Sequence, residues 1–169
     1  MAEDKREFKP FVPESSTMAE LTVKSVALGA VLGLVFSAVT VYLGLRAGLT
    51  IAVNIPIAIV AFALFGILGK MRLGRKATPL EVNMVQVTGA AGESIAAGVI
   101  FTLPALVFLG FPLTMDRIFL AALAGGTLGV TFLIPLRRYL IEKEHGVLPY
   151  PEGVACAEVI KSGEKGGAQ

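Results

Sequence analysis

The chain has 169 residues, of which 54% are hydrophobic and only 17% are charged. Soluble domains average about 45–50% apolar and about 25% charged residues, so this composition is not that of an ordinary soluble domain. The net charge is only +2 and tryptophan is absent, which argues against a nucleic-acid partner because such proteins carry a basic surface. The single cysteine, Cys156, cannot form an intrachain disulfide.

Residues 1–20 form a polar tail, and the first long apolar run, from Ser25 to Leu45, follows it without a charged residue. At about 1.5 Å per residue this run spans roughly 30 Å, the thickness of the hydrocarbon core of a bilayer. We therefore predict a first transmembrane helix. Thr17 and Glu20 have the spacing of a capping box at its start.

The second apolar run begins directly after Arg46 and extends from Ala47 to Gly69. Because almost no linker separates the two runs, the sequence predicts a tight helical hairpin with Gly44 and Gly48 at its turn. A short basic loop follows.

The third segment, from Pro79 to Phe111, is polar in its first half and purely apolar from Ile95 onward. Glycines at 89 and 92 lie where the composition changes. Since broken helices are found where membrane proteins bind substrates and ions, we predict a third segment that is broken or bent between Gly89 and Gly92.

A fourth uncharged run extends from Ile118 to Leu136, and a polar tail with proline turns and a short amphipathic helix at about residues 153–161 follows it. The fold class predicted is therefore an all-α, polytopic integral membrane protein. It has about four transmembrane helices, with the broken segment as the third. The predicted regions are a tail at 1–20, the helices at 21–138 and a second tail at 139–169.

Basic residues are concentrated in the N-terminal tail, in the loop at 70–78 and after the fourth run. The positive-inside rule then predicts that both termini are cytoplasmic. The expected location is the inner or plasma membrane of the cell. Glycine pairs four residues apart occur in three segments: Gly29 with Gly33, Gly44 with Gly48, and Gly125 with Gly129. Such pairs allow close helix packing, and their number indicates that the chain is part of a larger bundle.

Glu93 is the principal candidate for a functional residue, because ionisable residues inside the membrane are costly and usually line a bundle interior or a water path. It is either a proton or substrate site or a carboxylate that a helix N-terminus stabilises. Gln86 lies two turns earlier on a similar face if the helix continues. For Glu81, near Pro79 and the basic loop, the structural interpretation is favoured.

Asn54 and Arg46 are further candidates for the substrate or proton pathway. Asn54 precedes Pro56 by two residues, and it either has a function or satisfies the backbone carbonyl that this proline leaves unpaired. Arg46 either pairs with an anionic substrate or extends to the membrane surface. His145, Glu152 and Cys156 do not have the spacing of a zinc site. No catalytic set, cofactor fingerprint or metal site is therefore predicted, and the chain is not expected to be an enzyme.

Three stretches resemble the oligopeptide transporter (OPT) family, in the order in which that family has them. They are Thr40-Val-Tyr-Leu-Gly-Leu-Arg-Ala-Gly-Leu-Thr50 followed by Asn54-Ile-Pro56; Asn83-Met-Val-Gln-Val-Thr-Gly-Ala-Ala-Gly-Glu-Ser-Ile-Ala-Ala-Gly-Val-Ile-Phe-Thr-Leu-Pro104; and Ile134-Pro-Leu-Arg-Arg138 with Glu144-His-Gly-Val-Leu-Pro-Tyr-Pro-Glu-Gly-Val-Ala-Cys-Ala-Glu158.

The resemblance implies the N-terminal part of a proton-coupled secondary transporter, a symporter that imports oligopeptides or related small molecules. Its partners would be the lipid bilayer, a peptide or chelate substrate, and protons. Because members are several times longer, a fragment, a truncated frame or one half of a split transporter is expected, completed by the missing C-terminal helices or by an oligomer. The alternatives are a metal-chelate carrier of the yellow-stripe-like type and a scaffold subunit without transport.

Overall fold

The computed structural model describes residues 10–13, 15–70, 77–144 and 147–164. Every regular element in these ranges is helical. The elements are α1 (Val23–Ala47), α2 (Asn54–Lys70), α3 (Pro79–Thr102), α4 (Pro104–Phe108), α5 (Met115–Arg137) with a π-helical continuation at Arg138–Lys143, and α6 (Pro151–Glu164).

Three helical segments are long and apolar enough to cross a membrane, namely Val23–Ala47, Pro79–Phe108 and Met115–Lys143, and a shorter apolar helix spans Asn54–Gly69. This arrangement confirms the predicted fold class, an all-α multi-pass membrane protein. The chain divides into two compact units, one formed by residues 18–112 and 152–169 and the other by residues 1–17 and 113–151.

The start of α1 lies later than the sequence predicted. Its N-cap is Thr22, whose hydroxyl accepts the backbone N–H of Ser25 at 3.2 Å, while the Ser25 hydroxyl accepts the N–H of Thr22 at 3.1 Å. The capping box expected at Thr17 is therefore wrong. Thr22 lies next to the apolar run, so the cap forms where the helix begins to be buried.

The connection between α1 and α2 is also longer than predicted. Gly48 ends α1 in the left-handed conformation, with φ 69°, and its N–H donates to the carbonyl of Gly44. The next residues, 49–53, are not helical, so α2 starts only at Asn54 and its 17 residues extend about 25 Å. Gly44 lies within α1 rather than in the turn.

The predicted tight hairpin is wrong for a second reason. α1 and α2 each pack on α3 and make few direct backbone contacts with each other. Close approach of α1 to α3 depends on glycine: a Cβ on Gly33 would lie 3.3 Å from the Cα of Gly89, and one on Gly92 would lie 3.3 Å from the Cα of Gly33. Small residues at such positions allow helix backbones to meet.

The same packing corrects the expected break in the third segment. α3 is continuous through Gly89 and Gly92, because these glycines provide close contact with α1 rather than a change of direction. The interruption lies instead at Leu103, between α3 and α4. Pro104 has no N–H to continue the hydrogen-bond ladder of α3, which accounts for its position.

The core of the first unit lies where α1, α2, α3 and α6 meet. Ile57, Val82 and Val85 are fully buried there, and Cys156 and Ile160 bring one face of α6 into the same cluster. In the second unit, the hydroxyl of Tyr150 donates to the carbonyl of Leu140 in the π-helical continuation. No α5 residue is buried by the described part of the chain.

The glycine pairs have different outcomes. Gly29 and Gly33 pack on α3 as predicted, since a Cβ on Gly29 would lie 2.7 Å from the Cβ of Thr88. Gly125 and Gly129 have open space around them within the described residues. Close packing of that third pair stays a prediction.

Candidate functional site

A chain of polar side chains connects α2, α3 and α6. Gln86 of α3 donates from Nε2 to Oδ1 of Asn54 at 2.7 Å, and Asn54 donates from Nδ2 to Oε2 of Glu152 at 3.4 Å. We call these three residues the polar cluster. Two of its members, Asn54 and Gln86, were candidates from sequence, and the structure brings them into direct contact.

Each member of the polar cluster is positioned by the helix that carries it. Asn54 is the first residue of α2, where the nonhelical segment ends. Gln86 directly follows the buried Val85 on α3 and is only 8% exposed. Glu152 lies in the first turn of α6, where the positive end of the helix dipole favours a carboxylate.

Helix α6 is held against the cluster by its own side chains. Cys156 and Ile160 are buried in the core, and the thiol of Cys156 lies 4.0 Å from the carbonyl oxygen of Asn54. Burial raises the pKa of the Cys156 thiol above its ordinary value. At neutral pH the thiol is therefore protonated, and it contributes a small, mostly apolar wall rather than a charge.

A cavity of about 260 Å³ opens beside the polar cluster. Its lining residues come from α2, α3 and α6: Asn54, Asn83, Gln86, Glu152, Gly153, Cys156 and Ala157. Glu152 is the one charged residue in this lining, so the cavity is negative at neutral pH. Its wall otherwise consists of amide groups, a thiol and small residues.

Glu93 lies two turns after Gln86 on α3 and is half-buried. It makes no hydrogen bond or ion pair within the described ranges. Because α3 begins at Pro79, Glu93 is far from the helix N-terminus. The alternative interpretation, a carboxylate stabilised by the dipole at a helix start, is therefore wrong.

Arg46 is not part of the polar cluster or of the cavity lining. It is exposed in the last turn of α1, and its guanidinium lies 5.8 Å from the ring centroid of Tyr42. The aromatic ring and the negative end of the helix dipole both attract the guanidinium. These two interactions account for the position of Arg46 without a substrate. Its role in a substrate pathway stays a prediction.

Glu81 has the structural role that the sequence favoured. It is 6% exposed and accepts hydrogen bonds from the Thr22 hydroxyl and the Thr78 N–H, each at 3.0 Å. The Thr78 hydroxyl in turn donates to the carbonyl of Ala19. Glu81 thus caps α3 and ties its start to the start of α1.

Sequence reasoning missed the contact between Glu152 and Asn54 and the contribution of Asn83 to the cavity. Glu152 was considered only as a metal ligand, although it stands in the stretch 149–158 that resembles the transporter family. No group of three or more His, Cys, Asp or Glu side chains that could hold a metal occurs in the described part of the chain. His145 lies outside the described residues.

Comparison with known proteins agrees with these features. The family model described as OPT oligopeptide transporter protein matches residues 20–169. A protein of Haemophilus influenzae named "Putative oligopeptide transporter" is 43% identical over 126 residues, which cover 72% of this chain and 18% of that protein. No solved structure matches the chain. Since the family match extends over most of its length, the chain belongs to the OPT oligopeptide transporter family.

Proposed function

We propose that this chain contributes the first membrane helices of a proton-coupled secondary transporter that imports short peptides or related small molecules. Membership of the OPT family and the similarity to a protein named as an oligopeptide transporter support a transport function. The observation that carries the proposal is the polar cluster, because it joins three helices beside a cavity in a membrane protein.

Burying a polar side chain inside a membrane protein costs free energy unless the side chain has a hydrogen-bond partner or faces water. Asn54 begins a short apolar helix after a nonhelical segment, and irregular backbone of this kind is tolerated in membranes where it lines a cavity. Transporters use such helix ends for substrates and ions. The location of the polar cluster therefore fits a binding region better than a packing defect.

Proton coupling is supported by Glu93, a half-buried carboxyl group in a helical segment that is long and apolar enough to cross the membrane. A charge is costly in such a place, and uptake of a proton removes that cost. A proton changes the balance between outward-open and inward-open states only if the two states bind it with different affinity. Movement of the helices around α3 would change the burial of Glu93 and so provide that difference.

The test is uptake by the complete protein reconstituted in proteoliposomes. Glu93→Gln mimics the protonated carboxyl, and we expect it to abolish uptake driven by a pH gradient while substrate binding persists. Glu158→Gln is the matched control, because Glu158 is exposed on α6 and pairs with Lys161 at 2.7 Å. Unchanged pH dependence in Glu93→Gln would remove Glu93 from the proton pathway. No uptake of any peptide or chelate by the unaltered protein would favour the scaffold alternative.

A further inference from the structure

We propose that the cavity beside the polar cluster binds the primary ammonium group of the substrate, such as the α-amino group at the start of a short peptide. This inference rests on the proposed transport function and adds the chemical group that the site recognises. Its basis is the combination of a negative cavity, a buried amide of fixed orientation and a weakly held carboxylate.

The charge of the cavity selects for a cation. Glu152 is the one acidic residue of the lining, and neither lysine nor arginine is among the described lining residues. An anionic group, such as a peptide carboxylate, would be repelled there. A cation would be attracted by the Glu152 carboxylate instead.

The hydrogen-bonding groups match an ammonium in particular. Gln86 uses its Nε2 on Asn54 at 2.7 Å, so its Oε1 remains an acceptor without a partner among the described residues. Glu152 accepts from Asn54 only at 3.4 Å, a long contact that a stronger donor can replace. An ammonium group offers three donors and no acceptor, which suits a carboxylate together with an amide carbonyl.

The size and the ligand types disfavour other occupants. At about 260 Å³, the cavity is smaller than the roughly 300–1,000 Å³ of pockets that enclose a whole small molecule. It therefore accommodates one end of a substrate. A divalent metal is disfavoured because no group of three or more potential ligands of the usual residue types occurs in the described structure.

Cys156 provides a direct report on occupancy, because its side chain lines the same cavity and it is the one cysteine of the chain. The experiment uses the complete protein in proteoliposomes with any cysteine outside this chain replaced. The alkylation rate of Cys156 by N-ethylmaleimide is measured with trialanine, with N-acetyltrialanine and without peptide. Uptake of trialanine is measured separately in the same vesicles.

We expect trialanine to slow alkylation and N-acetyltrialanine to have no effect, because acetylation removes the ammonium charge. Glu152→Gln should raise the trialanine concentration for half-protection at least about tenfold, since charge-assisted hydrogen bonds are the strong ones. Glu152→Asp keeps the charge and should retain part of the protection, which separates recognition from a folding defect. Glu158→Gln should behave as the unaltered protein.

The outcomes distinguish the inference from the proposed function. Equal protection by both peptides, or protection that survives Glu152→Gln, would overturn ammonium recognition. So would the absence of protection by trialanine, whether or not trialanine is taken up. Protection by trialanine that depends on Glu152, without uptake, would support the binding site and count against transport.

Discussion

Gln86 on α3 donates a 2.7 Å hydrogen bond to Asn54 at the first residue of α2. Because Gln86 is 8% exposed, this bond provides a partner for an N–H group that is largely shielded from water. It also fixes the point at which the chain resumes a helical path after its nonhelical segment. The beginning of α2 is thus held by α3 rather than by α1.

Replacement of Gln86 by leucine should destabilise the protein. The substitution removes the donor to Oδ1 of the half-buried Asn54, and loss of one such hydrogen bond costs about 0.5–1.5 kcal/mol. Thermal unfolding of the complete protein in detergent measures the effect. Asn83→Leu is the matched control, since Asn83 lies on the same helix but is exposed. Equal stability of both variants would show that the hydrogen bond contributes nothing measurable.

Gly29→Ala should destabilise the contact between α1 and α3. The added Cβ would lie 2.7 Å from the Cβ of Thr88 and 2.9 Å from the carbonyl oxygen of Val85, so the backbone of α3 has to shift. Overpacking of this kind typically costs about 1–3 kcal/mol. Gly98→Ala is the control, because no atom lies within 4 Å of its added Cβ. A fall in the unfolding temperature of Gly29→Ala alone is the expected result.

Gly48→Ala should also destabilise, but through the backbone rather than through crowding. Nothing lies within 4 Å of a Cβ at Gly48, whereas its φ of +69° is left-handed. This conformation costs a residue with a side chain about 1–2 kcal/mol. Gly48→Asn should be milder, because asparagine tolerates it better than alanine. If alanine and asparagine lower the unfolding temperature equally, the left-handed backbone conformation at residue 48 is not the cause of the destabilisation.

The predicted membrane orientation is testable with an impermeant thiol reagent on intact cells. Single cysteines at positions 5, 74 and 116 in a Cys156→Ser background should differ in labelling. Because basic residues favour the cytoplasmic side, only position 116, at Asp116 before the fourth run, should be labelled from outside. Labelling of Gly74→Cys from outside would show that the orientation is opposite to the predicted one.

Alkylation of Cys156 should be slow at neutral pH and should accelerate at a higher pH than for an exposed thiol. Burial raises the pKa of this thiol, so a smaller fraction is present as the reactive thiolate at any given pH below it. The measurement is the rate of N-ethylmaleimide labelling as a function of pH. Denatured protein, in which the thiol has its ordinary pKa, is the control. Identical pH profiles would mean that Cys156 is not buried in the protein core.

The sequence by itself determined the class of protein and the extent of most helices. Hydropathy is a property of local composition, so the apolar runs at 25–45 and 118–136 predicted α1 and α5 to within a few residues. The polar first half of the third segment likewise directed attention to Gln86 and Glu93. The three stretches that resemble the oligopeptide transporter family added the expectation of transport. The comparisons confirmed the family.

Only the tertiary structure decided what the glycines do and which polar residues meet. Gly89 and Gly92 would suit a break or a close contact equally well, and it is the presence of Gly33 on the neighbouring helix that makes them a contact. Asn54 and Glu152 are 98 positions apart, and no local pattern relates them. Their meeting depends on burial of Cys156 and Ile160, because the apolar face of α6 carries Glu152 to the start of α2 as it packs into the core.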